Sequence, residues 1–178
     1  MNTAVKRILI SKRKLKNINK RLGRQITKDY KDKNLLIVCV LKSSAVFVSD
    51  LLRNIKCDCK VDYISVSSYS GTKPSGNIEF KKDIDINPKG YDILLIDDII
   101  DTGNTLKYVK EILSKKNPLS IKICCLLDKP YGRKADINAD YIGKIIPDEY
   151  VIGYGLDYDE KYRNLPFIGI LSDEQERR

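Results

Sequence analysis

Residues 93–105 read ILLIDDIIDTGNT: four apolar residues lead into two adjacent carboxylates, and a third carboxylate follows three positions later. An apolar run of this kind is typical of a strand that is buried on both faces of a parallel sheet. The small polar residues from Thr102 to Thr105 are typical of turns and helix starts. The segment therefore predicts a strand over 92–96, a polar turn, and a helix over 105–115.

The turn and its carboxylates suit a phosphorylated sugar. Backbone N–H groups of residues 102–106, at a turn that runs into a helix N-terminus, form a binding concavity for phosphate, and Gly103 allows a close approach. A phosphate there would be repelled by Asp97, Asp98 and Asp101 unless these carboxylates bind something else. Ribose hydroxyl groups and a divalent cation are suitable partners, because hard cations take oxygen ligands. We therefore expect a 5-phosphorylated sugar, with its diol on the carboxylates and its phosphate in the turn.

Other motifs fit this segment less well. A phosphate-binding loop of the Walker type is excluded, because no Gly-Lys-Ser/Thr follows at the required spacing. The GYG at residues 153–155 lacks the third glycine of a dinucleotide-binding fingerprint. Phospho-receiver domains carry an acidic pair near the chain start, unlike the pair at 97–98. A structural role, as an acidic strand end before a capped helix, explains Asp101 and Thr102 but not the adjacent pair.

The pattern of the whole chain indicates an α/β protein of one domain. The predicted strands cover residues 35–41, 60–67, 78–80, 92–96, 121–127, 141–146, 150–153 and 167–171. Helical spacing is found over about 44–55 and 105–115. Strands that alternate with helices of about ten residues predict an open parallel sheet flanked by helices. The chain shows no internal repeat or linker, and its 178 residues suffice for one well-buried domain.

The polar segments after the main strands should converge. In open α/β sheets, ligands bind beyond the carboxyl ends of the strands. The strand ends concerned are Leu41, Ser67, Ile96 and Leu127. We therefore expect the residues that follow them to form one site.

The net charge of +9 is concentrated at the N-terminus. Residues 1–33 carry twelve Lys or Arg and two Asp or Glu, whereas the rest of the chain carries 21 basic and 22 acidic residues. Such a segment is able to contact a polyanion. The spacing of Leu15, Ile18, Leu22 and Ile26 also indicates an amphipathic helix with a lysine-rich, solvated face, which is the favoured interpretation.

Composition excludes several kinds of chemistry. The chain has no histidine, so Ser-His and Cys-His catalysis and histidine-bound zinc are excluded. The five cysteines fit no disulfide framework, and reduced thiols are favoured over a soft-metal site. They are Cys39, Cys57, Cys59, Cys124 and Cys125. No apolar run approaches the roughly 20 residues of a membrane span, and no signal peptide is found, so we expect a cytoplasmic protein.

Residues 93–105 resemble the phosphoribosyl pyrophosphate signature of the type I phosphoribosyltransferases, and further segments are similar to motifs of the purine-specific members in the same order. These segments are 41–44 (LKSS), 67–76 (SSYSGTKPSG), 126–133 (LLDKPYGR) and 150–163 (YVIGYGLDYDEKYR). The resemblance runs from about residue 35 to 170. It implies an open parallel sheet in a core of about 35–145, with a small hood formed by N-terminal residues and about 146–178.

The resemblance also implies an activity. Members of this family transfer the 5-phosphoribosyl group of phosphoribosyl pyrophosphate to a base, here hypoxanthine or guanine, giving IMP or GMP and pyrophosphate in purine salvage. Mg²⁺ is the implied cofactor, and a homodimer or homotetramer the implied assembly. Neither a membrane nor nucleic acid is an expected partner.

Site residues follow from the resemblance segment by segment. The ribose 5-phosphate is expected on Asp97, Asp98, Asp101, Thr102, Gly103, Asn104 and Thr105. The pyrophosphate is expected on Lys42, Ser43, Ser68, Tyr69 and Arg163, and the base on Lys129, Tyr150 and Val151. The implied magnesium ligands are Asp97, Asp98 and Asp157, and the implied general base is Asp101.

Three of these segments carry further expectations. The Lys129 ammonium has donors only, so it favours a 6-oxo group over the 6-amino group of adenine. Tyr150 is expected to stack on the base. Arg133 matches a family arginine on the pyrophosphate side, and in the family the bond at Lys42–Ser43 can be a cis peptide without proline.

Two alternatives to a hypoxanthine or guanine enzyme stay open at this point. The basic N-terminal segment would suit a regulator that has this fold and binds RNA, as pyrimidine-attenuation proteins do. Two features argue against it: Asp101 is an aspartate where such regulators generally have another residue, and the resemblance implies that Lys129 and Tyr150 complete a purine pocket. A preference for xanthine is the alternative within the enzyme class, since the contacts at the purine two-position are not evident from the sequence.

Overall fold

The computed structural model describes residues 4–68 and 78–172, with two sheets and three helices in that part of the chain. The elements in chain order are β1 (Val5–Ile10), α1 (Lys12–Asp29), β2 (Leu35–Leu41), α2 (Ala45–Leu52), β3 (Cys59–Ser68), β4 (Ile78–Lys82), β5 (Asp92–Ile100), α3 (Asn104–Ser114), β6 (Ser120–Asp128), β7 (Tyr141–Ile145), β8 (Val151–Ile152) and β9 (Ile168–Leu171). A 3₁₀ turn, Pro130–Gly132, follows β6.

The larger sheet has six strands in the order β4-β3-β2-β5-β6-β7. All neighbouring pairs from β3 to β7 are parallel, and only β4 runs antiparallel, at one edge. This confirms the predicted open parallel sheet and adds one antiparallel edge strand. The carboxyl ends of β3, β2, β5 and β6 therefore lie side by side at one edge of the sheet.

The two faces of this sheet are covered by different helices. Along β2, Leu35, Ile37 and Cys39 belong to one core cluster, whereas Leu36, Val38 and Val40 belong to the other, because successive strand residues point to opposite faces. Helices α1 and α2 pack on the first cluster and α3 on the second. The strand is apolar at every position because both of its faces are buried.

The second sheet is built from both ends of the chain, in the order β1-β9-β8. Antiparallel pairing joins residues 5–10 to residues 168–171, which confirms the small hood formed by the chain ends. The sequence did not indicate β1, because its middle residues are exposed and two of them are basic. The residue boundaries predicted for the core and the hood stay predictions.

Helix α1 is the amphipathic helix that the sequence predicts. Ser11 caps it by accepting a hydrogen bond from the Lys14 N–H, and the apolar positions of the predicted stripe face the core. Two further positions on the buried face were not expected: Asn19 and Gly23. Within the described ranges, no helix is long and apolar enough to cross a membrane.

A buried hydrogen-bond chain joins α1, α2 and the hood. The Asn19 amide donates to the Tyr154 hydroxyl (2.9 Å), and that hydroxyl donates to the Asp50 carboxylate (2.6 Å). Burial, and then the hydrogen bond to Asp50, raise the pKa of Tyr154, so its hydroxyl keeps its proton. The chain fixes the segment that follows β8 against both helices of this face.

Strand β5 is longer than the sequence predicts and corrects one expectation. We expected a polar turn after Ile96, but the strand continues to Ile100 and pairs with β6 as far as Asp128. Asp97 and Asp98 therefore lie within the strand rather than beyond it. The reason is that Ile99 and Ile100 follow the acidic pair and extend the apolar run.

The cysteines are all free thiols, as predicted. Cys39, Cys124 and Cys125 are buried, and burial raises the pKa of Cys39 to about 12. Among the described residues, no three His, Cys, Asp or Glu side chains are grouped so that they could hold a metal ion.

The contact of α1 with the end of α2 gives a test of the packing. A Cβ atom at Gly23 would lie 2.6 Å from the backbone oxygen of Asn54. Gly23→Ala should therefore lower the free energy of unfolding by about 1–3 kcal/mol, because the overpacking outweighs the gain of about 1 kcal/mol in helix propensity. Urea unfolding followed by circular dichroism measures the difference.

The matched control is Asn17→Ala, at an exposed position of the same helix. Its stability should be unchanged or up to about 0.7 kcal/mol higher, because alanine is the better helix former. If the Gly23→Ala protein were as stable as the parent, the backbone around Asn54 would have to move away from the new Cβ atom at no cost, and the predicted overpacking would be wrong.

Candidate active site

Two adjoining cavities open at the carboxyl edge of the larger sheet. The first, about 280 Å³, is lined by residues 97–103, by the end of β2 with Ser43, by Val66 of β3 and by the start of α3. The second, about 270 Å³, is lined by Ser43, Asp98, Ile99, Asp101, Lys129, Glu149, Tyr150, Val151, Leu156 and Asp157. The cavities share Ser43, Asp98, Ile99 and Asp101, so they form one cleft with two parts. Most residues that the sequence assigns to the sugar and the base therefore meet here.

A third cavity of about 490 Å³ lies between α1, α2 and residues 163–166. It is larger than either part of the cleft, but of the predicted site residues it contains only Arg163. The cleft is the candidate active site because the strand-end carboxylates and Lys129 line it.

Asp97 and Asp98 form the floor of the first cavity. Both are buried, with 7% and 3% of their surface exposed. Burial raises the pKa of both carboxyls, and the neighbouring charge of Asp98 raises that of Asp97 further, well above its usual range. Each accepts one backbone hydrogen bond, from the Asp98 and Ile99 N–H groups respectively. Positive charge or hydroxyl donors placed here would favour their ionised forms.

Gly103 determines the backbone conformation of the turn before α3. Gly103 caps the helix with φ +82°, a left-handed conformation that suits glycine. Thr102, Gly103 and Thr105 line the first cavity beside the N-terminus of α3. Helix N-termini present unpaired N–H groups and a partial positive charge, so this end of the cavity attracts an anion. Asn104 is the first residue of α3 and does not line the cavity.

Arg133 supports this turn through hydrogen bonds to its backbone, and its expected place on the pyrophosphate side stays a prediction. Its guanidinium donates to the backbone oxygens of Asp101 (2.8 Å), Ile137 (2.7 Å) and Ile100 (3.4 Å), and it pairs with the buried Asp128 carboxylate. The Lys134 and Ala135 N–H groups also donate to the Thr102 oxygen at 2.9 Å. The planar, multi-donor guanidinium explains why arginine stands here.

Lys129 lines the second cavity and pairs with two carboxylates. Its ammonium is 3.3 Å from Asp101 Oδ2 and 2.9 Å from Asp148 Oδ1. Tyr150 and Val151 line the same cavity, and the Tyr150 ring meets Tyr158 edge to face at 5.6 Å between centroids. The structure thus brings together the three residues that the sequence assigns to the base.

Lys42 and Arg163 lie at the rim and share one carboxylate. Glu160 pairs with Lys42 at 3.2 Å and with Arg163 at 3.1 Å, and Arg163 also pairs with Asp157 at 2.8 Å. The hydrogen bonds from Arg163, and then from Lys42, lower the pKa of Glu160. Neither cation lines the two-part cleft itself, although Ser43 and Asp157 do.

Three residues of the site were not singled out from the sequence. Glu160 belongs to the 150–163 motif, but the sequence does not indicate that the turn there brings it between Lys42 and Arg163. Asp148 and Glu149 precede Tyr150 directly, and this position beside a predicted base-binding residue was the available signal.

A cis peptide bond precedes Lys42. The cis bond joins Leu41 to Lys42, one residue before the Lys42–Ser43 bond that we expected. Tyr69 lies outside the described residues, and the side chain of Ser68 is not described.

The amino-acid sequence is similar to those of known phosphoribosyltransferases. A family model described as phosphoribosyl transferase domain matches residues 5–160. The hypoxanthine-guanine phosphoribosyltransferase of Streptococcus thermophilus is 47% identical over 171 residues, which are 96% of this chain and 95% of that protein. The Staphylococcus aureus enzyme of the same name is 48% identical over 175 residues, 98% of each.

Solved structures agree as well. A hypoxanthine phosphoribosyltransferase from Staphylococcus aureus has a TM-score of 0.93 at 48% identity and covers 98% of this chain and 95% of its own. A Trypanosoma cruzi hypoxanthine phosphoribosyl transferase has a TM-score of 0.92 at 34% identity, with coverage of 98% and 95%. From its motifs, its cleft and these relatives, the chain belongs to the phosphoribosyl transferase domain family.

Proposed function

We propose that this protein transfers the 5-phosphoribosyl group of phosphoribosyl pyrophosphate to hypoxanthine or guanine, giving IMP or GMP and pyrophosphate in purine salvage. The observation that carries the proposal is the two-part cleft, in which Asp101 lines both the cavity beside the 102–105 turn and the cavity lined by Lys129 and Tyr150. Near-full-length relatives at 47–48% identity bear the same activity in their names.

The first cavity takes the ribose 5-phosphate in this proposal. Its phosphate lies at the turn formed by Thr102, Gly103, Asn104 and Thr105, where the N-terminus of α3 attracts an anion. The ribose hydroxyls donate to Asp97 and Asp98. Buried carboxylates with raised pKa values gain from such donors, because hydrogen bonds to the charged form favour it.

The second cavity takes the purine. Tyr150 stacks on the ring, the Val151 backbone meets the base edge, and the Lys129 ammonium donates to the six-position oxygen. The ammonium has no acceptor for the 6-amino group of adenine, so adenine is rejected. The contacts with the purine two-position decide between hypoxanthine, guanine and xanthine.

Asp101 is the proposed general base, since it lines both parts of the cleft. A ring nitrogen of the purine forms the new bond to the anomeric carbon while the bond from that carbon to the pyrophosphate oxygen breaks. The bonding electron pair leaves with pyrophosphate, and the proton of the five-membered ring passes to the Asp101 carboxylate. Lys42, Ser43 and Arg163, with Ser68 and Tyr69 as further predicted contacts, hold the departing pyrophosphate.

The acidic residues of the cleft fit a magnesium ion. Mg²⁺ prefers oxygen ligands and is usually held by one or two carboxylates together with substrate phosphates. Asp157 lines the cleft, and the buried Asp97 and Asp98 carboxylates would be relieved by a cation. When bound, Mg²⁺ neutralises charge on the pyrophosphate. These three aspartates are its proposed holders; since no three such side chains of the described residues are grouped closely enough to hold an ion by themselves, pyrophosphate oxygens would complete the ligand set.

The proposal includes the oligomeric state of the protein. We propose a homo-oligomer, either a dimer or a tetramer; in the Trypanosoma cruzi relative the C-terminal region has a role in the oligomeric state. Location in the cytoplasm stays a prediction. A regulator that binds RNA is not favoured, because Asp101, Lys129 and Tyr150 meet in one cleft.

The reaction is tested by offering single bases to the purified protein. With phosphoribosyl pyrophosphate and magnesium, we expect nucleotide formation from hypoxanthine and guanine and none from adenine or uracil, measured by absorbance. A chelator should abolish turnover, since the pyrophosphate loses its cation. Xanthine is offered in parallel to measure selectivity. Turnover of uracil alone would overturn the base pocket, and no turnover of any base would favour the regulator.

Asp101→Asn tests the general base. The amide keeps the shape of the carboxylate but cannot accept the purine proton, so kcat should fall about 10²–10⁴-fold while the KM values change little. Steady-state kinetics with hypoxanthine give both parameters. Asp136→Asn, at an exposed position outside the cleft, is the matched control and should keep the parent kcat. A fall of less than about threefold for Asp101→Asn would reject this role.

A further inference from the structure

The Lys129 ammonium is held by two carboxylates that come from different parts of the chain. Asp101 follows the end of β5, whereas Asp148 lies in the connection between β7 and β8. The nearer partner is Asp148, at 2.9 Å against 3.3 Å for Asp101. Nothing in the predicted roles of the site accounts for Asp148.

The number of N–H donors on the Lys129 ammonium limits how many further partners it can bind. A lysine ammonium has three N–H groups and no acceptor. With one directed to Asp101 and one to Asp148, one N–H is left for a ligand. The two carboxylates thereby limit the directions in which the third N–H can point, which a single partner on a flexible stem would not do.

The backbone keeps Asp148 beside Lys129. The Ile146 N–H donates to the backbone oxygen of Asp128, the residue before Lys129, at 2.9 Å. The Glu149 N–H donates to the backbone oxygen of Pro147 at 2.9 Å in a tight turn. Asp148 stands between these two anchored residues. The same short connection leads to Tyr150 and Val151 of the base cavity.

We propose that Asp148 is a positioning residue, which holds the Lys129 ammonium toward the six-position oxygen of the purine and draws it away from Asp101. The inference rests on the proposed function, because it deepens the role given there to Lys129. Asp148 acts through Lys129 and does not itself touch the reacting atoms.

The electrostatic balance at Lys129 supports this role. Only 11% of the Lys129 side chain is exposed. Burial lowers the pKa of the ammonium, but the hydrogen bond to Asp148 and the charge of Asp101 more than offset this, so the pKa is raised overall. Asp148 therefore offsets part of the cost of burying the ammonium and holds it at this place in the cleft.

Loss of Asp148 would have two linked consequences. Lys129 would keep Asp101 as its only carboxylate partner among the ion pairs of the described residues. The ammonium would then pair more closely with Asp101, where it opposes proton transfer to that carboxylate, and it would move from the purine edge. Because 66% of the Asp148 side chain is exposed, solvent screens the pair, and we expect a moderate effect rather than loss of activity.

The test compares Asp148→Asn with Asp148→Glu. Asp148→Asn should lower kcat/KM for hypoxanthine about tenfold and leave the KM for phosphoribosyl pyrophosphate within about twofold, because only the base side is affected. The preference for hypoxanthine over adenine, measured as the ratio of their dissociation constants, should fall. Asp148→Glu restores the carboxylate and should return kcat/KM to within about threefold of the parent.

The controls separate positioning from folding and from the proposed function. Asp136→Asn removes one exposed carboxylate elsewhere and should behave as the parent, and the melting temperature of each variant reports folding. A parent-like kcat/KM for hypoxanthine and a parent-like base preference in Asp148→Asn would overturn the proposal, as would a lower kcat/KM with unchanged base preference that Asp148→Glu does not reverse. A parent protein without activity on any base would instead reject the proposed function, and the positioning role with it.

Discussion

Asp97 and Asp98 lie side by side in the central strand of the larger sheet, almost fully buried. Burial of a carboxylate is costly unless the group is paired or hydrogen-bonded. Here each carboxyl accepts a backbone N–H, the two are hydrogen-bonded to each other and Ser43 is hydrogen-bonded to Asp98, but burial still raises the pKa of both. A ligand that brings hydroxyl donors or a cation to this floor therefore stabilises the ionised carboxylates and gains binding energy from them.

The surroundings of the pair are rigid, which makes this arrangement effective. The parallel pairing of β5 with β2 and β6 fixes the strand, and the segment after β6 fixes the turn that follows it. Arg133 and two N–H groups hold the backbone of Asp101 and Thr102, and Gly132 lies so close that a Cβ there would meet Asp101. A site fixed before the ligand arrives loses little entropy on binding.

The sequence was sufficient for what depends on local pattern and motif. Apolar runs placed β2, β5 and β6, and the signature at 93–105 placed the cleft, because strand ends of a parallel sheet share one edge. The sequence was not sufficient where contacts between distant parts of the chain determine whether a strand forms or where a side chain lies. β1 is a strand only because it pairs with β9, and Arg133 turns to backbone oxygens about 30 residues upstream. Asp148 and Glu160 have partners that no spacing rule indicates.

The cations of the site share one feature, which is that each is already paired with a carboxylate. Lys42 and Arg163 hold Glu160, and Lys129 holds Asp101 and Asp148. The pair of Lys42 with Glu160 is exposed (70% and 64% of the side chains), and exposed ion pairs contribute little to stability. In the proposed function, such a cation exchanges its carboxylate for a pyrophosphate oxygen at small cost. Because the rim cations are already paired in the free protein, an anion gains there only the difference between its own contacts and those of the carboxylate that it displaces.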